Sequence, residues 1–121
     1  MRVMVIVKAS NDSEANKMPS KELLTAMGRF NQELINAGLM QDGAGLKATS
    51  HGARVRFSGE SRSVINGPFT PVKEQIAGYW IWKVNSLDEA IAWLKRCPNP
   101  HEGDDCEVEI RPLFEESDFP S

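Results

Sequence analysis

The stretch GYWIWKVNSLDEAIAWL, residues 78–94, decides the fold. Its first part, residues 78–84, combines aromatic and β-branched side chains and predicts a strong β-strand. Ser86 and Glu89 then have the spacing of a capping box, in which the serine caps a helix and the glutamate returns the hydrogen bond. Apolar residues at helical spacing continue this helix until Pro98 ends it.

On the N-terminal side, residues 2–8 are apolar and β-branched, and they predict a strand that is covered on both faces. Ser20 is a good N-cap for a helix that Gly38 ends, and the apolar residues between them recur at helical spacing. The glycine-rich residues 38–53 predict irregular structure with a short strand at residues 46–49.

A hairpin and a last strand complete the pattern. Residues 54–58 alternate polar and apolar side chains, as a half-buried strand does, and residues 62–65 form the returning strand. Gly59-Glu60 between them suits a two-residue type II′ turn. Residues 106–111 alternate again and predict the final strand.

The order strand, helix, hairpin, strand, helix, strand predicts an α+β fold. We expect a ferredoxin-like sandwich, an antiparallel sheet with two helices on one face, and a single domain over residues 1–121. Residues 2–8 and 79–82 place apolar side chains on both sheet faces, although two helices cover only one. Because monomers rarely expose an apolar face of this size, we expect a homodimer formed by sheet-to-sheet packing.

Composition and charge exclude several classes of function. A net charge of −3 supplies no basic field, so we expect no nucleic-acid or membrane partner. The apolar run at the N-terminus is too short for a signal peptide, and the expected location is cytoplasmic. Cys97 and Cys106 have no zinc-binding spacing and are expected to be free thiols, with a disulfide between them as the alternative. We expect no metal and no cofactor, since the chain contains no phosphate-binding glycine loop and no metal cluster.

The chain resembles the DGPF branch of the YCII-related family. The resemblance rests on NGPFTPVKEQIAGYWIWKVNSLDEAIAWLKRCP, residues 66–98, and on VEIRPL, residues 108–113. The segment FNQELINAGLMQDGAGLKATSHGARVRF, residues 30–57, is similar to the first helix of the family and the strand after it. The resemblance covers nearly the whole chain and implies a ferredoxin-like protomer in a dimeric α/β barrel.

The chain departs from the family pattern at two places that bear on activity. Most members are uncharacterised, and an acid–base, dehydrochlorinase-like activity belongs to a distant branch with a His–Asp pair. The first helix here contains no histidine, and Asn66 replaces the Asp of the DGPF signature. Because an amide cannot accept a proton as a carboxylate does, a step that depended on this Asp is lost or relies on another group.

Four candidate ligand-binding residues lie in or near the proline-rich bend at residues 66–75. Asn66 would orient a ligand and Phe69 would offer an aromatic surface, while Lys73 and Arg56 would balance a negative charge. The structural alternatives are a turn residue, a packing residue, a solvated ion pair and a pairing of the basic hairpin with the acidic last strand.

Three further candidates could take part in proton transfer or polar binding. Glu74 follows the bend and is the candidate proton acceptor. His51, in a loop, is a second catalytic candidate, with a solvated histidine as the alternative. Asp42 fits a turn, but it lies in the loop where the related branch keeps site residues.

Two functions fit these residues. The first is binding of a small polar or aromatic anion in a cleft near the bend by a dimer, with or without acid–base catalysis, so an enzymatic role stays open. The second is a non-catalytic regulatory or interaction module, because members of the family can occur beside or fused to extracytoplasmic-function sigma factors. The acidic C-terminal residues and the missing His–Asp pair favour the second function.

Overall fold

The computed structural model of the protein describes residues 1–120. A four-stranded antiparallel sheet has the order β2-β5-β1-β6, and β3 and β4 form a separate two-stranded sheet. The strands are β1 (Arg2–Lys8), β2 (Met40–Gly45), β3 (Ala53–Ser58), β4 (Ser61–Asn66), β5 (Ile76–Lys83) and β6 (Val108–Pro112). The helices are α1 (Asn11–Glu14), α2 (Lys21–Asn36) and α3 (Leu87–Leu94).

The core lies between one face of the large sheet and the helices α2 and α3. Val3 opposes Trp82 and Val5 opposes Trp80 across β1 and β5, so these four side chains share a face. Phe30 of α2 meets the Trp80 ring edge-on, with ring centroids 5.9 Å apart. α3 packs into the same buried cluster. The predicted α+β architecture, with helices on one face of an antiparallel sheet, is confirmed.

The other sheet face carries Met4, Ile6, Tyr79 and Ile81, because they alternate with the core residues. Ile6 is buried and the other three are half-buried. The large apolar side chains with the greatest exposure lie mainly in other parts of the chain, including Phe57 in β3 and residues near the C-terminus.

Both long helices begin as the sequence predicts. The Ser20 hydroxyl accepts a hydrogen bond from the backbone of α2, which ends before Gly38 at a positive φ of 76°. Ser86 caps α3 by accepting from the Glu89 backbone N at 3.1 Å. The Glu89 carboxylate instead accepts from Asn85 Nδ2 at 3.0 Å, so the reciprocal half of the predicted capping box is wrong.

The glycine-rich segment folds differently from its prediction. The strand lies at Met40–Gly45, whereas residues 46–48 are irregular and Thr49–His51 form a 3₁₀ turn. A Cβ at Gly43 would lie 2.8 Å from Trp80 Cδ1, so the glycine permits close approach to the core tryptophan. The position of β2 could not be predicted from side-chain alternation, because its backbone pairing with β5 defines this strand.

The hairpin of β3 and β4 turns at Gly59-Glu60 as predicted, with φ of 58° at Gly59. The prediction that residues 54–58 form a half-buried strand is wrong for the single chain, because every residue of β3 is exposed, as is every residue of β4. We name residues 53–66 the arm.

One boundary near the C-terminus also differs from prediction. β6 begins at Val108, so Cys106 precedes the strand. Cys97 and Cys106 are free thiols.

No helix within residues 1–120 is long and apolar enough to cross a membrane.

Candidate functional site

An open cleft of about 1230 Å³ lies between α2 and the large sheet. Trp80, Val7 and Gly78 of the sheet contribute to its lining. The wall on α2 is formed by Leu23, Leu24, Met27, Asn31 and Ile35. Most of this lining is apolar, as is common for small-molecule sites.

Trp80 is fixed on the sheet side of the cleft by a hydrogen bond. Its indole Nε1 donates to Asn31 Oδ1 at 2.9 Å, which satisfies the only polar atom of the ring. Asn31 lies on the same helix stripe as Met27 and Ile35, four residues before and after it. The stripe therefore contains one amide that orients an aromatic ring.

The rim of the cleft carries more positive than negative charge. Three lysines and one aspartate line it, namely Lys8, Lys17, Lys47 and Asp42. Lys8 pairs with Glu109 at 3.7 Å and Lys17 with Asp12 at 3.9 Å. Within residues 1–120, Lys47 forms no ion pair, so its charge is available to a ligand.

Two histidines also line the rim. The Lys8 carbonyl lies 2.8 Å from His101 Nε2. Because a carbonyl only accepts, Nε2 carries the proton and Nδ1 of the neutral ring keeps its lone pair. His51 Nε2 contacts Asn16 Oδ1 at 3.2 Å. An imidazole that is held in one tautomer can exchange a proton with a bound ligand.

The 3₁₀ turn that carries His51 is held from two sides. The Glu14 carboxylate accepts from the Thr49 backbone N at 2.9 Å and from the Thr49 hydroxyl. The same hydroxyl oxygen accepts from the Phe69 backbone N at 2.9 Å. Thr49 therefore links α1 to residues 67–75, which we name the elbow.

Gly67 brings the elbow into direct contact with this turn. Its backbone N donates to the Gly52 carbonyl at 3.0 Å. A Cβ at Gly67 would lie 1.7 Å from the Thr49 carbonyl oxygen, closer than any side chain can come. The glycine of the Asn-Gly-Pro-Phe sequence is thus required by packing against the cleft rim.

The model of the YCII-related domain matches residues 1–114. This chain belongs to the YCII-related family. An uncharacterised protein of Rhizobium meliloti (strain 1021) is 28% identical to this YCII-related chain over 127 aligned positions, covering 98% of the chain and all of the relative.

A solved structure supports the fold of this YCII-related protein. It is 5-chloro-2-hydroxyhydroquinone dehydrochlorinase from Burkholderia phenoliruptrix AC1100, in complex with 2,5-dihydroxybenzoquinone. The likeness covers 97% of both chains with a TM-score of 0.54 and 14% identity. At this identity the likeness concerns the fold, and assignment to the DGPF branch stays a prediction.

Two of the residues that the sequence selected line the cleft of this YCII-related protein, namely Asp42 and His51. Asp42 is exposed on β2, where its carboxylate accepts from the Gly43 backbone N at 2.8 Å. The other five selected residues are absent from the lining, and they are Arg56, Asn66, Phe69, Lys73 and Glu74.

The elbow holds four of these five residues in or beside it. Asn66 is exposed at the end of β4, and Lys73 and Glu74 are exposed in a 3₁₀ turn. Phe69 is half-buried, with the Arg54 guanidinium 3.9 Å from its ring centroid. Arg56 is exposed on the arm. The elbow therefore supports the rim from outside, and Phe69 packs within the protein.

Sequence reasoning did not select Asn31, Lys47 or His101, which the fold brings to the cleft. Asn31 had a readable signal, since it interrupts the apolar stripe of α2. His101 is a loop histidine like His51, and its contact with the end of β1 forms only in the folded chain.

The two thiols are unsuited to nucleophilic chemistry at neutral pH. Burial, with a smaller contribution from Cys106, raises the pKa of Cys97 to about 11. Burial also raises the pKa of Cys106. Both therefore stay protonated at neutral pH. Among residues 1–120, no three His, Cys, Asp or Glu side chains form a group that could hold a metal ion.

Proposed function

We propose that this chain, as a single YCII-related domain, binds a small aromatic anion in the cleft beside α2 and associates as a homodimer. The observation that carries the proposal is the composition of the cleft. The apolar wall on α2 and the edge of the fixed indole offer burial for an aromatic ring, and Lys47 offers a charge that pairs with no acid within residues 1–120.

The solved relative gives the proposal a chemical class. That protein was solved in complex with 2,5-dihydroxybenzoquinone, a flat ring with oxygen substituents. Such a ring matches the apolar lining of the cleft, and a negatively charged oxygen matches the Lys47 amine. The volume of the cleft exceeds that of a single ring, so a larger aromatic acid also fits.

If acid–base chemistry occurs in this cleft, His101 is the residue that would transfer the proton. Its protonated Nε2 is engaged by the Lys8 carbonyl, which leaves Nδ1 as the acceptor. Glu74 and His51 stay predictions, and Glu74 is exposed outside the cleft lining. Binding does not depend on this assignment.

Thermal-shift measurements test the binding proposal. We expect 2,5-dihydroxybenzoquinone and aromatic carboxylates such as benzoate to raise the melting temperature as their concentration increases. At a ligand concentration about 100 times Kd, the stabilisation is about 2.7 kcal/mol. Uncharged benzyl alcohol should produce a much smaller shift.

Lys47→Met should weaken anion binding by about five- to tenfold, because a charge-assisted contact is lost. Lys21→Met is the matched control, since Lys21 is exposed at the start of α2 and outside the cleft lining. If no aromatic anion raises the melting temperature of the wild-type protein, the proposal is wrong.

A further inference from the structure

The arm is an extended hairpin, and no other described element of the chain buries its strands. All residues of β3 and β4 are exposed, and within residues 1–120 the two strands pair only with each other. An isolated two-stranded hairpin is marginally stable in water, so its apolar side chains gain most if another surface covers them.

One face of the arm is apolar and ends in an arginine. The register places Val55 opposite Val64 and Phe57 opposite Arg62, and these four side chains share a face. Phe57 is 70% exposed, and the Arg62 guanidinium lies 4.3 Å from its ring centroid. Arg56 lies on the opposite face of the arm, since it alternates with Phe57.

The base of the arm is fixed near the end of β1. Arg54 donates to Gln75 Oε1 at 3.1 Å, and Gln75 is buried beside the end of the sheet. The Gln75 carbonyl accepts from the Ala9 backbone N at 2.9 Å. The arm therefore starts where β1 finishes and its tip extends into solvent.

The C-terminal segment, residues 113–119, has the complementary character. Phe114 is 74% exposed and lies 5.3 Å from the exposed ring of Phe119. The segment contains the acids Glu115, Glu116 and Asp118 and no basic residue, whereas the arm contains three arginines and one acid, Glu60. An apolar and acidic surface thus matches an apolar and basic one.

This segment is anchored at the other end of β1. The Leu113 backbone N donates to the Arg2 carbonyl at 3.0 Å, and Arg2 pairs with Glu115 at 3.1 Å. Residues 2 and 8 of an extended strand lie about 20 Å apart. In a single copy, the arm and the C-terminal segment start from opposite ends of this strand and both stay exposed.

We propose that the arm of each copy binds the C-terminal segment of a second copy. A twofold axis makes such a contact reciprocal, so each dimer contains two of them. Val55, Phe57 and Val64 cover Phe114 and Phe119. Arg62 then faces Glu116, which pairs with no described lysine or arginine in the single chain. This inference rests on the homodimer in the proposed function.

Reciprocal charge reversal tests the contact. Arg62→Glu and Glu116→Lys should each weaken self-association by about fivefold or more in sedimentation velocity, because like charges then meet at both contacts. In an equimolar mixture of the two variants, both contacts join opposite charges, so association should return to the wild-type strength. Arg56→Glu is the matched control on the opposite face and should associate like the wild type.

A second pair of variants leaves the arginine contacts within the arm unchanged. Val55→Thr with Val64→Thr keeps β-branched strand residues but makes the proposed contact face polar, and association should weaken. Ile65→Thr makes the same change on the opposite face and should have no effect. Circular dichroism checks that each variant is folded.

Three outcomes would overturn the inference. Arm variants that dimerise like the wild type would show that the copies associate without this contact, and the homodimer proposal would survive. A mixture that stays dissociated would show that Arg62 and Glu116 do not meet. A wild-type monomer would overturn both this inference and the homodimer, while ligand binding would remain measurable on its own.

Discussion

Gly67 connects the elbow to the cleft rim through its missing side chain. Gly67→Ala should lower the free energy of unfolding by about 3 kcal/mol, because the added Cβ overlaps the Thr49 carbonyl. Gly28→Ala is the matched control in α2, where no atom lies within 4 Å of an added Cβ. That variant should gain about 0.5–1 kcal/mol from helix propensity. Urea denaturation measures both, and equal effects would contradict the packing role of Gly67.

The buried thiol of Cys97 gives a pH-dependent prediction. Its pKa of about 11 in the folded protein lies above the ordinary value of 9.0, so folding favours the protonated thiol. This contribution to stability is present below pH 9 and is lost as the pH rises from 9 towards 11. Cys97→Ser should reduce the loss of stability over that range.

Alkylation by iodoacetamide at pH 8 provides a second measurement on the thiols. Cys97 should react more slowly than the less buried Cys106 in the folded protein, and the two rates should converge in urea. Mass spectrometry distinguishes the sites. Faster reaction at Cys97 would contradict its burial.

The candidate residues that the sequence offered are divided between the cleft and the outside of its rim. Asp42 and His51 were selected from loops, and both line the cleft. Asn66, Lys73 and Glu74 were selected because a rigid bend suggests a site, but the bend supports the rim from outside. Sequence spacing could not reveal this, since the contact joins Gly67 to Thr49 across the fold.

At the scale of elements, Thr49 joins α1, the 3₁₀ turn and the elbow. Thr49→Val keeps the shape of the side chain but removes the hydroxyl that Glu14 and the Phe69 backbone N contact. We expect a loss of about 1–2 kcal/mol in stability, because two half-buried polar groups lose a partner. Ligand affinity should also fall, since the turn carries His51.

Thr25→Val on the exposed surface of α2 is the control for this change, and its stability should match the wild type within about 0.5 kcal/mol. Thermal denaturation compares the two variants. If Thr49→Val is as stable as Thr25→Val, the link between the elbow and the rim contributes nothing.

The elements that side-chain patterns define were predictable from the sequence. The aromatic and β-branched residues of β5 predicted a strand, and the capping residue Ser86 predicted the start of α3. β2 was misplaced because glycines carry no pattern, and its pairing with β5 is made by the backbone. The exposure of the arm was missed because Val55 and Phe57 alternate with arginines as they would in a half-buried strand.

At the scale of the whole molecule, we expect self-association. The arm and the C-terminal segment together carry six exposed large apolar side chains, and covering them favours a second copy. Sedimentation velocity at micromolar concentration should give the mass of a dimer. A monomer over the micromolar range would contradict this prediction.

If the cleft beside α2 is the ligand site, calorimetric titration of 2,5-dihydroxybenzoquinone should distinguish two matched tryptophan variants. Leu24 lines the cleft and is half exposed, whereas its neighbour Thr25 lies outside the lining. Leu24→Trp should narrow the cleft and reduce affinity by about tenfold, while Thr25→Trp should bind like the wild type. Equal affinity in the two variants would contradict the claim.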